Sequence, residues 1–174
     1  MEKILIFLEN GVEDVEFIYP YYRFQEEGYE VVIAAPKAKE GYNGKHGLSF
    51  TSDTSPEEVK MEEFVALIIP GGQAPDRMRI NKGLIDIVKA AFEMNMVVAA
   101  VCHGPQMLIE ADVVSGRKVT SWPSVRTDLR NAGAEVVDES AVVDGNLVTS
   151  RSPDDLPAFC KETIKLLKKR ESRG

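Results

Sequence analysis

The chain has only two cysteines, Cys102 and Cys160, and two histidines, His46 and His103, in 174 residues. Cysteines so few and so far apart supply neither a disulfide framework nor a CxxC redox pair. With two histidines and no paired cysteines the usual zinc ligand sets are missing, so the expected chemistry uses no metal. GxGxxG and GxxxxGK[ST] spacings are also absent, and no cofactor is expected. Basic charge is in short supply: 21 Lys and Arg against 28 Asp and Glu leave a net charge of -7. That balance argues against a broad nucleic-acid surface. The basic run from Lys165 to Arg170 reads as a solvated helix end that complements the helix dipole. No apolar segment approaches the roughly 20 residues that would cross a bilayer. The first residues carry Glu2 and Lys3 ahead of a strand-length apolar run, with no cleavage site after it, so a cytoplasmic location is expected. No linker, repeat or low-complexity tract divides the chain, and 44% hydrophobic residues suffice for one domain spanning 1–174.

What is present alternates between strand-like and helix-like segments, which predicts an α/β layered domain with a largely parallel central sheet. Strands are expected at 3–8, 29–36, 65–70, 97–101, 118–121, 135–138, 141–143 and 147–150, with the last pair a hairpin turning at Asp144, Gly145 and Asn146. Residues 47–53 read as part of a hairpin following the GKHG turn at 44–47. Helices are expected at 14–27, broken near its start by Pro20, and at 82–94, 105–111, 125–132 and 153–169.

The segment VVAAVCHGP at 97–105 carries the sharpest signal. An unbroken apolar run ends in cysteine and histidine, and Gly104 and Pro105 then open a helix. Cys102 would therefore sit on a tight strand-to-helix turn, its sulfur raised above the sheet near the positive end of the helix. Such a position suits a thiolate nucleophile, while the alternative is a small apolar residue finishing a core strand. Open α/β sheets place their sites at the carboxyl ends of strands. Glu13, Asp14 and Glu16 follow the first strand, Gly71 and Gly72 the third, and Cys102 and His103 the central one. Glu13 and Glu16 share a helix face, so one can lean over the crevice while the other meets solvent, although acidic residues favour any helix start. Gly71 and Gly72 form either a plain turn or a loop whose backbone N–H approaches a reacting carbonyl. His103 is the candidate imidazole partner; adjacent side chains on a tight elbow diverge, so it is expected to need an outside carboxylate. His46 is expected at the surface or in packing.

These residues resemble a known family. ENGVEDVEFIYP (9–20), PGGQAPDRMRIN (70–81), AVCHGPQMLI (100–109), GRKVTSWPSVRTDLRNAGAEVVD (116–138) and VVDGNLVTSRSPDDLPAF (142–159) look like the PfpI family of intracellular cysteine peptidases and protein deglycases, within the class I glutamine amidotransferase-like superfamily. The resemblance implies a flavodoxin-like three-layer sandwich with a cysteine nucleophile elbow. It implies Cys102 as nucleophile beside His103, Glu16 as the carboxylate contacting the sulfur, and Glu13 as an acid at the site mouth that contacts substrate. It further implies an oxyanion hole made by Gly72 and the His103 backbone. Homo-oligomers, dimers or hexamers, are implied too. In hexameric members an acid from a neighbouring subunit completes the histidine, and here that position is Asp76, shorter than glutamate by about 1.5 Å, one carbon–carbon bond. Trp122 stands where the family commonly has tyrosine and is read as a pocket-edge residue or an interface or core anchor.

The expected function is a cysteine hydrolase acting on small peptides or on glyoxal and methylglyoxal adducts. A carboxylate beside a thiolate would raise the thiol pKa, so Glu16 is expected to be neutral when Cys102 is ionised. The rival expectation is a redox or stress sensor whose Cys102 oxidises to a sulfenic or sulfinic acid steadied by Glu16. A glutamine amidotransferase is disfavoured because no histidine follows position 103.

Overall fold

The structure, a computed structural model, describes residues 1–173. In chain order it runs β1 (Lys3–Phe7), α1 (Asp14–Glu26), β2 (Glu30–Ala34), β3 (Gly41–Asn43), β4 (Ser49–Thr51), β5 (Phe64–Ile69), α2 (Ala74–Met78), α3 (Lys82–Glu93) and β6 (Val97–Val101). It continues with α4 (Pro105–Glu110), β7 (Lys118–Val119), α5 (Arg126–Asn131), β8 (Glu135–Val136), β9 (Val142–Asp144), β10 (Leu147–Ser150) and α6 (Leu156–Glu171). A six-stranded sheet with order β2-β1-β5-β6-β10-β9 forms the middle layer. All its pairings are parallel except β9 against β10. Helices α1 and α6 pack together on one face, and α3 and α4 pack together on the other, giving the flavodoxin-like sandwich.

The local causes are visible in the residues. β6 is VVAAV with every residue buried, as a parallel strand covered on both faces requires. α3 buries Leu84, Ile85, Ile87, Val88 and Ala91 along one stripe, and the Asn81 side chain accepts from Leu84 N–H to cap its start. Winding proceeds from β1 outward to β2, and then from β5 through β6 to β10 on the other side. β1 and β5 thus flank the switch point, where the loops after parallel strands separate and leave a crevice.

Two expectations need correction. Pro20 does not interrupt α1, which runs unbroken from Asp14 to Glu26. Phe17, Pro20 and Phe24 form a buried stripe at helical spacing, and that packing holds the helix through the missing N–H bond. The loop expected after Gly72 contains α2, which is too short to show a hydrophobic period and starts with Pro75 in its first turn. Residues 41–51 make the expected hairpin, with β3 and β4 on either side of the 44–47 turn. Among the described residues no helix is long and apolar enough to cross a membrane.

Candidate active site

Cys102 directly follows β6 and has φ +62°, the left-handed region that a non-glycine residue enters at a cost of about 1–2 kcal/mol. Three backbone bonds hold it there. Cys102 N–H donates to Ser150 O at 3.0 Å, Trp122 N–H donates to Cys102 O at 3.0 Å, and Gly104 N–H donates to Val101 O at 2.8 Å. Two glycines make the turn sterically possible. A Cβ on Gly104 would lie 2.5 Å from Ile69 O, and one on Gly71 would lie 2.7 Å from Glu16 Oε1 and 2.9 Å from His103 N. Strain concentrated at one nucleophilic residue and over-determined by its surroundings is a mark of a functional turn.

The sulfur is not raised into solvent as expected. Cys102 is only 6% exposed, and its thiol is pushed up to about 12, first by burial and then by the Glu16 charge, with the N–H groups of Gly72 and His103 pulling the other way. Glu16 is fully buried at the start of α1; burial pushes its carboxyl up to about 8, and the Glu13 charge adds to that, against the bond that Gly71 N–H donates to Oε1 at 2.9 Å. Glu16 therefore keeps its proton at neutral pH although the sulfur beside it is not ionised, and it would not repel a thiolate formed there. The resting pair is a thiol facing a neutral acid. Among the described residues Glu16 Oε2 is buried with no hydrogen-bond partner of its own.

His103 also departs from expectation, because its ring does not diverge from the thiol. Nδ1 lies 3.2 Å from Cys102 Sγ. Positive φ at Cys102 rotates its side chain back over the following residue, which sequence adjacency alone does not reveal. Burial and the nearby Lys45 charge hold the imidazole below its usual pKa, so it is neutral and able to accept a proton. Its Nε2 lies 3.4 Å from Ser124 Oγ, and the Trp122 ring stacks on it at 6.2 Å between centroids and 25° between planes.

A cavity of about 740 Å³ gathers Glu13, Glu16, Gly72, Asp76, Cys102, His103 and Trp122 in one lining, together with Lys45, Gln73, Arg77, Gln106 and Pro153. Every site residue expected from sequence thus meets the same space. Glu13 does not meet open solvent: Lys45 Nζ sits 2.6 Å from its carboxylate, and His46 Nε2 approaches within 3.4 Å while remaining a surface residue. Trp122 is 40% exposed and lines the cavity, which excludes the core-anchor reading. Asp76 is exposed on α2 and makes no hydrogen bond to its own His103 among the described residues. Lys45 and Ser124 escaped the sequence reading. Lys45 arrives from the 44–47 turn, which Asp14 holds by accepting from His46 N–H at 3.1 Å and Leu48 N–H at 2.8 Å. The only available hint was a cation in a turn long enough to fold back. Ser124 lies two residues beyond Trp122, where serine in a turn carries no distinguishing signal.

A family model described as the DJ-1/PfpI family matches residues 2–166. The chain belongs to the DJ-1/PfpI family. "Deglycase PfpI" of Pyrococcus furiosus is 50% identical over 166 residues, covering 95% of this chain and 99% of that protein. "General stress protein 18" of Bacillus subtilis is 42% identical over 170 residues, 97% of this chain and 99% of that one. Among solved structures, a two-domain protein of Anabaena variabilis with DJ-1/ThiJ/PfpI-like and ferritin-like domains superposes with a TM-score of 0.95 at 44% identity. That match covers 97% of this chain and 48% of the larger one, so this DJ-1/PfpI chain spans about half of the two-domain protein.

Proposed function

We propose that the protein is a cysteine-dependent hydrolase that releases amines from glyoxal and methylglyoxal adducts or cleaves short peptides. The observation that carries this reading is the strained elbow itself: Cys102 at φ +62°, its sulfur 3.2 Å from a neutral imidazole nitrogen, opening on a cavity of about 740 Å³. The thiol is held high and the imidazole low, so the pair works by proton transfer at the moment of attack rather than as a standing ion pair. His103 Nδ1 takes the thiol proton as sulfur bonds to the substrate carbon. With a peptide, the carbonyl π electrons move to oxygen, which accepts from the Gly72 and His103 N–H groups. The C–N bond then breaks, the amine takes the proton from His103, and a thioester remains. Water attacks the thioester, His103 receives its proton, the C–S bond breaks and sulfur is reprotonated. With a hemiaminal adduct, sulfur displaces the amine from the adduct carbon, the amine leaves with the same proton, and water subsequently frees the sulfur. Glu16, protonated, donates toward the ionised sulfur, and Glu13 and Trp122 line the approach. Deglycation has the added support of the name carried by the 50% identical relative.

The same reading gives the protein copies of itself as partners, in a dimer or a hexamer, with Asp76 of a neighbouring subunit approaching His103. Its support is that Asp76 is exposed at the cavity and unused by its own imidazole. A cytoplasmic location belongs to the same reading.

A second reading, a redox sensor, is favoured by one observation: the buried, unpartnered Glu16 Oε2 would donate to an oxygen of a Cys102 sulfinic acid. Turnover of methylglyoxal adducts and of short fluorogenic peptides by wild type and Cys102→Ser, set beside mass spectrometry after mild peroxide, separates the two. The hydrolase predicts turnover that falls at least about a thousandfold in Cys102→Ser. Stoichiometric oxidation of Cys102 with no turnover of either substrate sinks it.

A further inference from the structure

His103 is one of only two histidines, and its imidazole is contacted on three sides. Nδ1 faces the Cys102 sulfur at 3.2 Å, Nε2 faces Ser124 Oγ at 3.4 Å, and the Trp122 ring covers one face. A neutral imidazole carries one N–H, so the two nitrogens cannot both be bases. Which of them holds the proton decides whether the thiol can be deprotonated. A proton on Nδ1 would point at sulfur and leave the site without a base there.

We propose that Ser124 is a positioning residue of His103 supplied by the same subunit, accepting the Nε2 proton so that the Nδ1 lone pair faces the Cys102 thiol. Serine suits the task because its hydroxyl rotates freely and is not recruited by another group among the described residues. The separation is at the long end for a hydrogen bond and closes once the imidazole takes the thiol proton and becomes a charged donor. Trp122 and Ser124 belong to one segment, and the fold fastens that segment to the elbow. Trp122 N–H donates to Cys102 O, and Ser121 Oγ and Val125 N–H both return to Trp122 O. Past Ser124, Arg126 pairs with Asp138 at 3.0 Å; Asp138 also takes Arg151 at 3.1 Å, and Arg151 grips the buried Asp155 at 2.9 Å. The chain that supplies the serine is therefore tied at both ends to strands or loops of the central sheet. The function of Ser124 passes through His103, not through substrate, and the proposal rests on the hydrolase reading above.

Nitrogen-15 chemical shifts of the His103 ring give the tautomer directly, with exposed His46 as an internal reference, and they need no substrate. Wild type is expected to show His103 protonated at Nε2. Ser124→Ala is expected to populate the Nδ1–H tautomer and to lower kcat about 3- to 10-fold with KM unchanged, the size of one lost hydrogen bond. Ser124→Thr is expected to restore both. The proposal is overturned if wild-type His103 is protonated at Nδ1, if Ser124→Ala leaves the tautomer unmoved, if threonine restores neither, or if Asp76→Asn shifts the tautomer and Ser124→Ala does not. An absence of turnover on every substrate would fall on the hydrolase reading alone, because the ring shifts would still report on Ser124.

Discussion

The two cysteines of this chain are both buried and both held at about 12, yet they occupy opposite kinds of place. Cys160 lies within α6 beside the buried Phe159, Thr163 and Ile164, where burial pushes its thiol up and the Arg23 charge pulls slightly the other way. Cys102 is just as hidden from water but has amides, an imidazole and a carboxyl aimed at its sulfur, a strained backbone under it and a cavity beside it. Burial therefore says nothing about reactivity by itself. What separates the two thiols is the presence of a base within reach and a route for a substrate.

Competitive alkylation is the hardest test of that contrast. With a small haloacetamide at neutral pH, Cys102 is expected to react at least about a thousandfold faster than Cys160, which reacts only when α6 opens, at a cost of about 4 kcal/mol. Equal rates, read by peptide mass spectrometry, would erase the distinction. Next in size comes the pH dependence of stability. Glu16 titrates near 4.5 when unfolded and is pushed up to about 8 when folded, so the folded state binds the extra proton between those values. Its contribution is complete below about pH 4.5 and fades as pH rises toward 8, on the order of 4 kcal/mol across the window. Glu16→Gln, compared with wild type by denaturant unfolding at pH 5 and pH 8, should flatten this slope; parallel curves would remove the buried proton from the account.

Backbone strain sharpens the comparison further. Gly104→Ala should cost about 2 kcal/mol, since its Cβ would press on Ile69 O at 2.5 Å and displace the elbow. Gly41→Ala, with nothing within 4 Å, should be nearly silent in the same thermal melts. The smallest effect is expected at Cys160→Ser, about 1 kcal/mol for a buried hydroxyl that must seek a carbonyl within its own helix, with turnover unchanged. A large loss of turnover there would mean the second cysteine is not passive.

Much of this was legible in the chain. Alternating apolar runs marked the strands, and β6 was read with its true ends because a strand covered on both faces must be apolar throughout. The polar clusters after β1, β5 and β6 pointed to a single crevice because parallel strands deliver their following loops to one edge. α2 was not legible, since five residues cannot display a helical period. Neither was the Lys45 contact with Glu13, which depends on a hairpin folding back over more than thirty residues of intervening chain.

By itself the sequence determined the layered architecture, the strand that ends in Cys102, and the acids, glycines and histidine that share its cavity, because periodicity and the strand-edge rule act through residue spacing. Tertiary structure alone decided that the thiol is sunk and protonated, that Nδ1 meets it while Nε2 meets Ser124, and that burial, more than the sulfur, keeps the proton on Glu16. Those outcomes turn on desolvation and on distances of a few ångströms between segments remote in the chain, and neither is a property of spacing.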